Sequence, residues 1–266
     1  MKFLVQQQPA FVYTGGKNFD AAKPSVIFIH GAANDHSVWT LQSRYFAHHG
    51  FNVLALDLPG HGKSFGSAKP TIAQYADWVI NLCDNGAIAS AAMVGHSMGS
   101  LIALDVAARY PTRVSRLALL GCSVPMPVAD VLLDAATHRP HEAFDMLNIW
   151  GHAPQVKWNQ SAIPGTSLMM AYKCLLEKSR PGVLANDLAA CQIFTMDDEA
   201  MKSVTAPTIV LSGTRDMMTP PKAAALVAKN IGGAAFISLD DVGHAMMQEA
   251  PGKVLDALRN FIKLNA

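Results

Sequence analysis

Cysteine is scarce in this chain, and what there is does not pair. Cys83, Cys122, Cys174 and Cys191 stand far apart with no C-x-x-C, so no disulfide framework is expected and the thiols read as reduced. Charge of one sign is missing too. The formal net charge is +1 and like charges form no runs, which argues against a nucleic-acid or anionic-membrane footprint. No apolar run approaches the ~20 residues a spanning helix needs. The opening "MKFLVQQQPAF" holds too short an apolar stretch for a signal sequence. There is no internal repeat and no low-complexity tract. These absences point to a soluble, cytoplasmic protein. They exclude nucleic acid and membrane as expected partners and leave the oligomeric state open.

Cofactor and metal signatures are lacking as well. The "GKS" at 62–64 would need a glycine where Asp57 stands to complete a phosphate-binding loop. There is no H-E-x-x-H. In "HGAANDH" a dinuclear metal site would need histidines in place of Gly31 and Ala33, and "HRPH" offers His138 and His141 with no third ligand in register. Neither a metal nor a cofactor is expected.

Half of the 266 residues are hydrophobic, enough for a sizeable core. The apolar residues fall in short runs bounded by polar or glycine residues: "SVIFIHG", "FNVLALDLPG", "SAAMVGHS", "VSRLALLGCS", "APTIVLSGTRD" and "AAFISLDDVGH". Runs of this length, rich in Val, Ile and Leu, suit strands buried on both faces of a parallel sheet. Helix-like segments lie between several of them, at about 71–86, 98–110, 220–230 and 247–263. The alternation implies an α/β fold with a doubly wound, mostly parallel sheet. "FLVQQQPAFVYTGG" ahead of it reads as an antiparallel hairpin at one edge.

Between about 124 and 200 the alternation stops. This stretch is proline-rich, lacks strand runs and carries helix-like pieces such as "ADVLLDAATH" and "TSLMMAYKCLLEK". It reads as a helical insertion, residues 124–200, in a core made of 1–123 and 201–266. Long insertions of this kind often cover active sites, although an extra helical layer with no role at the site would look the same in sequence.

Two stretches, "GKSFG" and "GHSMG", fit the G-x-S-x-G pattern of a serine nucleophile on a tight turn. That chemistry needs a strand that turns sharply into a helix. In "AAMVGHSMGSLIALDVAARY", Ala91 to Val94 read as strand, Gly95 to Gly99 as the turn and Ser100 to Tyr110 as helix, stopped by Pro111. Ser97 would then sit at the carboxyl end of a central strand, where open α/β sheets bind ligands. Ser64 follows "DLPGHG" and precedes Pro70, leaving no room for a helix, so it is expected to be a surface-loop serine.

A nucleophilic serine needs a base, and the base an orienting carboxylate, in the chain order Ser, Asp or Glu, His. Asp216 in "LSGTRDMMTP" and His244 in "DDVGHAMM" each fall in a loop just after a strand. Taken singly, Asp216 could be a turn residue and His244 an ordinary loop histidine. Asp240 and Asp241 are nearer to His244 in sequence but poorly spaced to turn back onto its Nδ1. The ordered set favours Ser97, Asp216 and His244.

With "HGAANDHSVW", "LDLPGHGKS", "GHSMGS", "SGTRDMMTP" and "DVGHAMMQEAP" in this order, the chain resembles the α/β-hydrolase superfamily, in its lid-bearing branch of esterases, lactonases, C–C hydrolases and cofactor-free haloperoxidases. The resemblance implies an α/β-hydrolase core with 124–200 as a cap. It implies an oxyanion hole made by the backbone N–H groups of Ala32 and Met98. His30 itself reads as a structural residue whose ring ties the loop down. A serine nucleophile disfavours the aspartate-dependent dehalogenases and epoxide hydrolases of the family. Met126, Met146, Trp150, Trp158, Met169, Met170, Tyr172, Phe194 and Met196 are available to pack the cap or line a pocket, and Trp150 and Met170 are the candidates for substrate contact. Without an Arg cluster in the insertion, the implied activity is hydrolysis of a small, largely apolar ester or lactone. The alternatives are C–C bond hydrolysis, haloperoxidase-like chemistry, or a small-molecule receptor on the same fold.

Overall fold

The computed structural model describes residues 2–157 and 166–263. Along the chain run β1 (Lys2–Val5), β2 (Gln8–Tyr13), β3 (Ser25–Ile29), α1 (Thr40–His48), β4 (Asn52–Leu56), α2 (Ile72–Asn85), β5 (Ala91–His96), α3 (Met98–Arg109) and β6 (Val114–Leu120). Then come α4 (Asp130–His138), α5 (Pro140–Gly151), α6 (Pro154–Lys157), α7 (Leu168–Leu176), α8 (Val183–Ile193) and α9 (Asp198–Lys202). The chain closes with β7 (Thr208–Gly213), α10 (Pro221–Asn230), β8 (Ala235–Leu239), α11 (Met246–Glu249) and α12 (Pro251–Phe261).

The strands form one sheet in the order β1-β2-β4-β3-β5-β6-β7-β8. β1 and β2 are antiparallel, as is the β2–β4 pairing, and every pairing from β4 to β8 is parallel. The expected edge hairpin turns through Gln6 and Gln7, both at positive φ, the twist a two-residue hairpin loop requires. The central strands are buried on both faces because their side chains alternate between two cores. From β3, Ile27 and Ile29 join Trp78 of α2 and Leu101 of α3 on one face. Val26 and Phe28 face the other way, with Trp39, Phe46 of α1 and Leu258 of α12. Burying a side chain of this size is worth about 1.5–3 kcal/mol.

Two expectations change in detail, and one helix was not expected at all. α3 begins at Met98 and is buried on nearly every side from Met98 to Ala107, because it packs between the sheet, α2 and α8. The helix expected over 247–263 is two pieces, since Pro251 pushes Ala250 out of helical geometry to φ −135°. α1 has no counterpart in the sequence reading: "TLQSRYFAH" is too polar for a clear apolar stripe, yet it buries Phe46 and Ala47.

Between β6 and β7 the described residues are helical and contain no strand. α4, α5, α7 and α8 share a small core of their own that includes Leu132, Phe144, Leu147 and Leu188. α8 also presents Ala190 and Cys191 to the core under α3. The expected boundary at 200/201 falls inside α9. Met201 of α9 packs into the sheet's own core, and Asp198 accepts a hydrogen bond from Asn230 at 2.8 Å. Trp158 lies outside the described residues.

Candidate active site

β5 ends in the turn that carries Ser97. Ser97 has φ 55° and ψ −122°, a region that side-chain-bearing residues rarely occupy and that functional sites concentrate. The flanking glycines make the turn possible. A Cβ at Gly95 would strike the carbonyl of Gly99, and one at Gly99 would strike the backbone of Ile29 and His30. Met98 is the first residue of α3, so its N–H lies in the first turn, where no intrahelical carbonyl is available. Its side chain is fully buried.

β7 and β8 deliver the other two residues. Asp216 Oδ2 lies 2.8 Å from His244 Nδ1, and both side chains are almost fully buried. Three further hydrogen bonds hold the carboxylate: from Thr219 Oγ1 to Oδ2 at 2.7 Å, and from the N–H groups of Met218 and Thr219 to Oδ1 at 2.9 and 2.8 Å. Burial pushes the Asp216 carboxyl up, but attraction to His244 and these hydrogen bonds outweigh it, and the group ends below the usual aspartate value. An ionised carboxylate accepts the Nδ1 proton, which leaves Nε2 as the basic nitrogen. Nε2 is buried and makes no hydrogen bond among the described residues.

The loop bearing His244 is pinned from below. His96 Nε2 donates to the His244 carbonyl at 2.8 Å. Burial, and then the charge of His244, push the His96 pKa down to about 3, so its ring is neutral. Glu249 Oε2 accepts from the Gly243 N–H at 3.0 Å and the Ala153 N–H at 3.2 Å, joining this loop to the end of α5.

After β3 the chain turns back through Gly31, Ala32 and Ala33, with the Asn34 N–H on the Gly31 carbonyl at 3.3 Å. His30 ties this turn to the neighbouring loop, as expected of it. Its Nδ1 donates to Gly31 O at 2.8 Å and its Nε2 accepts the Leu58 N–H at 3.1 Å.

Ser97, His96, His244, Thr219 and Ala32 all line one cavity of about 280 Å³. Its other walls come from the segment after β6 (Met126 to Ala129), from the loop after Asp216 (Met217, Met218) and from the helices between β6 and β7 (Leu132, Leu147, Trp150, Tyr172, Leu188, Cys191). No Lys or Arg is among its described lining residues. Trp150 is in the wall. Met170 is not: it is 58% exposed on the outer side of α7, and Tyr172 is the residue from that helix that reaches the cavity.

The rival residues are elsewhere. Asp240 and Asp241 are exposed, and Asp241 pairs with Arg215 at 3.2 Å. Ser64 is not among the cavity's described lining residues either, and it is not the surface serine its sequence suggested. It is fully buried, donates to Asp57 O at 2.6 Å and accepts the Phe11 N–H at 2.8 Å, stitching β2 to the loop after β4. Metal-ligand spacing occurs once among the described residues, at Asp35, His36 and Asp57. Both oxygens of Asp57 are engaged there, by the His36 N–H and Nδ1 and by the Lys63 N–H. His138 and His141 are exposed beside Asp134 and Glu177.

Sequence reasoning missed Thr219, His96 and Glu249. Their neighbourhood in the sequence, three residues after Asp216, one before Ser97 and five after His244, was the available signal.

The family model described as "Alpha/beta hydrolase family" matches residues 26–257. Among curated proteins, the chain is 26% identical to the (E)-2-((N-methylformamido)methylene)succinate hydrolase of Acinetobacter baylyi over 90% of each chain. It is also 26% identical to the pimeloyl-[acyl-carrier protein] methyl ester esterase of Aromatoleum aromaticum, over 86% of this chain and 94% of that one. The enol-lactonase of Burkholderia xenovorans superposes with a TM-score of 0.87 over 98% of this chain and 99% of the other, at 22% identity, a likeness of fold. No helix among the described residues is long and apolar enough to cross a membrane.

Proposed function

The chain belongs to the alpha/beta hydrolase family, and from that premise we propose that it is a serine hydrolase of a small, largely apolar carboxylic ester or lactone. The observation that carries the proposal is the meeting of three features in one place. A serine in a strained strand-to-helix turn and a buried histidine held by a buried aspartate border the same cavity, and no cation is among that cavity's described lining residues.

The chemistry runs as follows. Ser97 Oγ adds to the substrate carbonyl carbon while His244 Nε2 takes its proton. Asp216 stays ionised and balances the imidazolium. The carbonyl oxygen becomes an oxyanion held by the N–H groups of Ala32 and Met98; such donors are worth about 3–4 kcal/mol each to the transition state. Collapse breaks the C–O bond, and His244 returns the proton to the leaving alkoxide. Water, deprotonated by His244, then releases the acid and restores Ser97. In a lactone the alcohol and acid leave as one molecule.

Residues 124–200 serve as the cap in this reading. Leu132, Leu147, Trp150, Tyr172 and Leu188 lie in the cavity wall, so they choose the acyl or alcohol group while the sheet supplies the chemistry. The relatives named esterase and enol-lactonase agree with an ester or lactone. A dicarboxylate, as in the relative named 2-hydroxy-6-oxononadienedioate/2-hydroxy-6-oxononatrienedioate hydrolase, would want a cation that the described wall does not provide.

The test is labelling with a fluorophosphonate, then turnover of p-nitrophenyl butyrate. Wild-type protein should label at Ser97 and turn over, and Ser97→Ala should do neither. A labelled protein without turnover on any ester or lactone would point to a receptor.

A further inference from the structure

Asp187, near the middle of α8, is a fully buried carboxylate that the hydrolytic steps do not use. Its partners come from three other parts of the fold. Oδ2 accepts the N–H of Ala33 at 3.0 Å and faces His61 Nε2 at 2.7 Å, and Oδ1 accepts the Tyr75 hydroxyl at 2.8 Å. His61 Nδ1 faces the Pro59 carbonyl at 3.0 Å. Both ring nitrogens of His61 therefore look at acceptors, and only the doubly protonated ring satisfies both. The pair is an imidazolium beside a carboxylate, closed off from solvent.

Ala33 is where this buried pair meets the reaction. It has φ +57°, a left-handed conformation uncommon for alanine and held only where its surroundings over-determine it. The Asp187 carboxylate accepts the N–H of the Ala32–Ala33 peptide and so sets the orientation of that peptide plane. The adjoining peptide carries the Ala32 N–H.

We propose that Asp187 is a positioning residue for the oxyanion hole, holding the Ala32–Ala33 peptide from the insertion so that the Ala32 N–H points into the cavity beside Ser97. The inference rests on the serine-hydrolase reading above. It makes the insertion part of the catalytic architecture as well as a wall of the pocket, because the loop after β3 is completed by a side chain that arrives 154 residues later.

The test compares wild type with Asp187→Asn, a change of charge with little change of shape. Four quantities are measured: kcat and KM on p-nitrophenyl butyrate, the melting temperature, and inhibition by an alkyl trifluoromethyl ketone and by its methyl ketone analogue. The first ketone is captured by the serine as a hemiketal oxyanion, and the second is a ground-state ligand. Misplacing a catalytic donor by about 1 Å costs up to roughly 100-fold. In Asp187→Asn, kcat should fall about 10- to 100-fold with KM changed less than threefold or so, and trifluoromethyl ketone affinity should fall in step while methyl ketone affinity holds. Adding Ala33→Gly, which adopts positive φ without strain, should restore part of the lost kcat. Should the single variant fail to fold, the double variant carries the same ketone comparison.

A folded Asp187→Asn with kcat within about twofold of wild type overturns the inference. So does an equal loss of affinity for both ketones, which marks a merely structural role. A wild type inert to esters, lactones and fluorophosphonate overturns the hydrolase reading itself, and this inference with it.

Discussion

Replacing Ser64 by alanine separates folding from chemistry, because the two G-x-S-x-G serines sit in opposite environments. The Ser64 hydroxyl links Phe11 N to Asp57 O, and all of its atoms are shielded from water. Alanine leaves one donor and one acceptor without that partner. An unsatisfied buried group costs about 1–3 kcal/mol. The Asp57 carbonyl has a second lone pair to use, so the sum falls near 2–4 kcal/mol. For a chain of this size each kcal/mol moves the melting temperature by roughly 2–4 °C, giving a drop on the order of 4–16 °C. Ser64 is not in the cavity wall, so the folded variant should keep kcat/KM within about twofold of wild type. Ser97→Ala should show the reverse: loss of several powers of ten in kcat and a melting temperature close to wild type. The assay is a thermal melt beside p-nitrophenyl butyrate kinetics at a temperature where both variants are folded. A Ser64→Ala protein that melts like wild type would mean that the two hydrogen bonds contribute nothing. One that is folded but inactive would mean that the wrong serine has been assigned.

Other perturbations probe separate parts of the site. Asp216→Asn should fold, since the Met218 and Thr219 N–H groups still find an acceptor at Oδ1, but lose about 10⁴ in kcat as the wrong His244 tautomer is favoured; full activity there would move the acid elsewhere. Trp150→Ala should change the ratio of kcat/KM for long and short acyl esters by about tenfold or more, whereas exposed Met170→Ala should leave the chain-length profile alone; the reverse pattern would relocate the pocket. The buried His61–Asp187 pair makes a pH prediction. Burial pulls the His61 pKa down, but the Asp187 charge and hydrogen bond win and raise it, so its stabilising contribution is complete below the ordinary histidine value and fades as pH climbs through the raised one. Burial pushes Asp187 up, but His61 and the Ala33 and Tyr75 hydrogen bonds bring it below the ordinary aspartate value, so its contribution is present above that value and fades as pH drops through the lowered one. The urea-midpoint gap between wild type and Asp187→Asn should therefore be widest between those limits and narrow on both sides; a gap independent of pH would contradict a charged pair. Finally, EDTA should leave ester turnover unchanged, and activity lost to the chelator and regained with zinc would sink the serine mechanism.

What could be read from the sequence was local. Strand runs such as "SVIFIH" and "APTIVLSG" declare themselves by composition and by the polar or glycine residues that bound them, and β3 and β7 lie within those bounds. The elbow at Ser97 is legible because glycine, serine and the apolar helix that follows stand within twenty residues. Asp216 and His244 could be singled out as candidates because each follows a strand end, and parallel strands bring their carboxyl ends to one edge of the sheet. The polar helix α1 was illegible, because only packing against the sheet shows which of its faces is apolar.

Chain pattern alone thus determined the α/β alternation and the helical stretch between β6 and β7, and it proposed Ser97, Asp216 and His244 as candidates. Tertiary structure decided which side chains face which others. It buried Ser64 against Phe11 and Asp57, turned Met170 outward while Met217 and Met218 entered the cavity wall, and set Asp187 against His61 and Ala33, 126 and 154 residues away. The physical reason is range. Periodicity and turn chemistry act over a few residues and repeat wherever the same residues recur. A buried hydrogen bond between distant residues depends on where the whole chain has placed them, and nothing in the local pattern around Asp187 distinguishes it from an exposed helix aspartate.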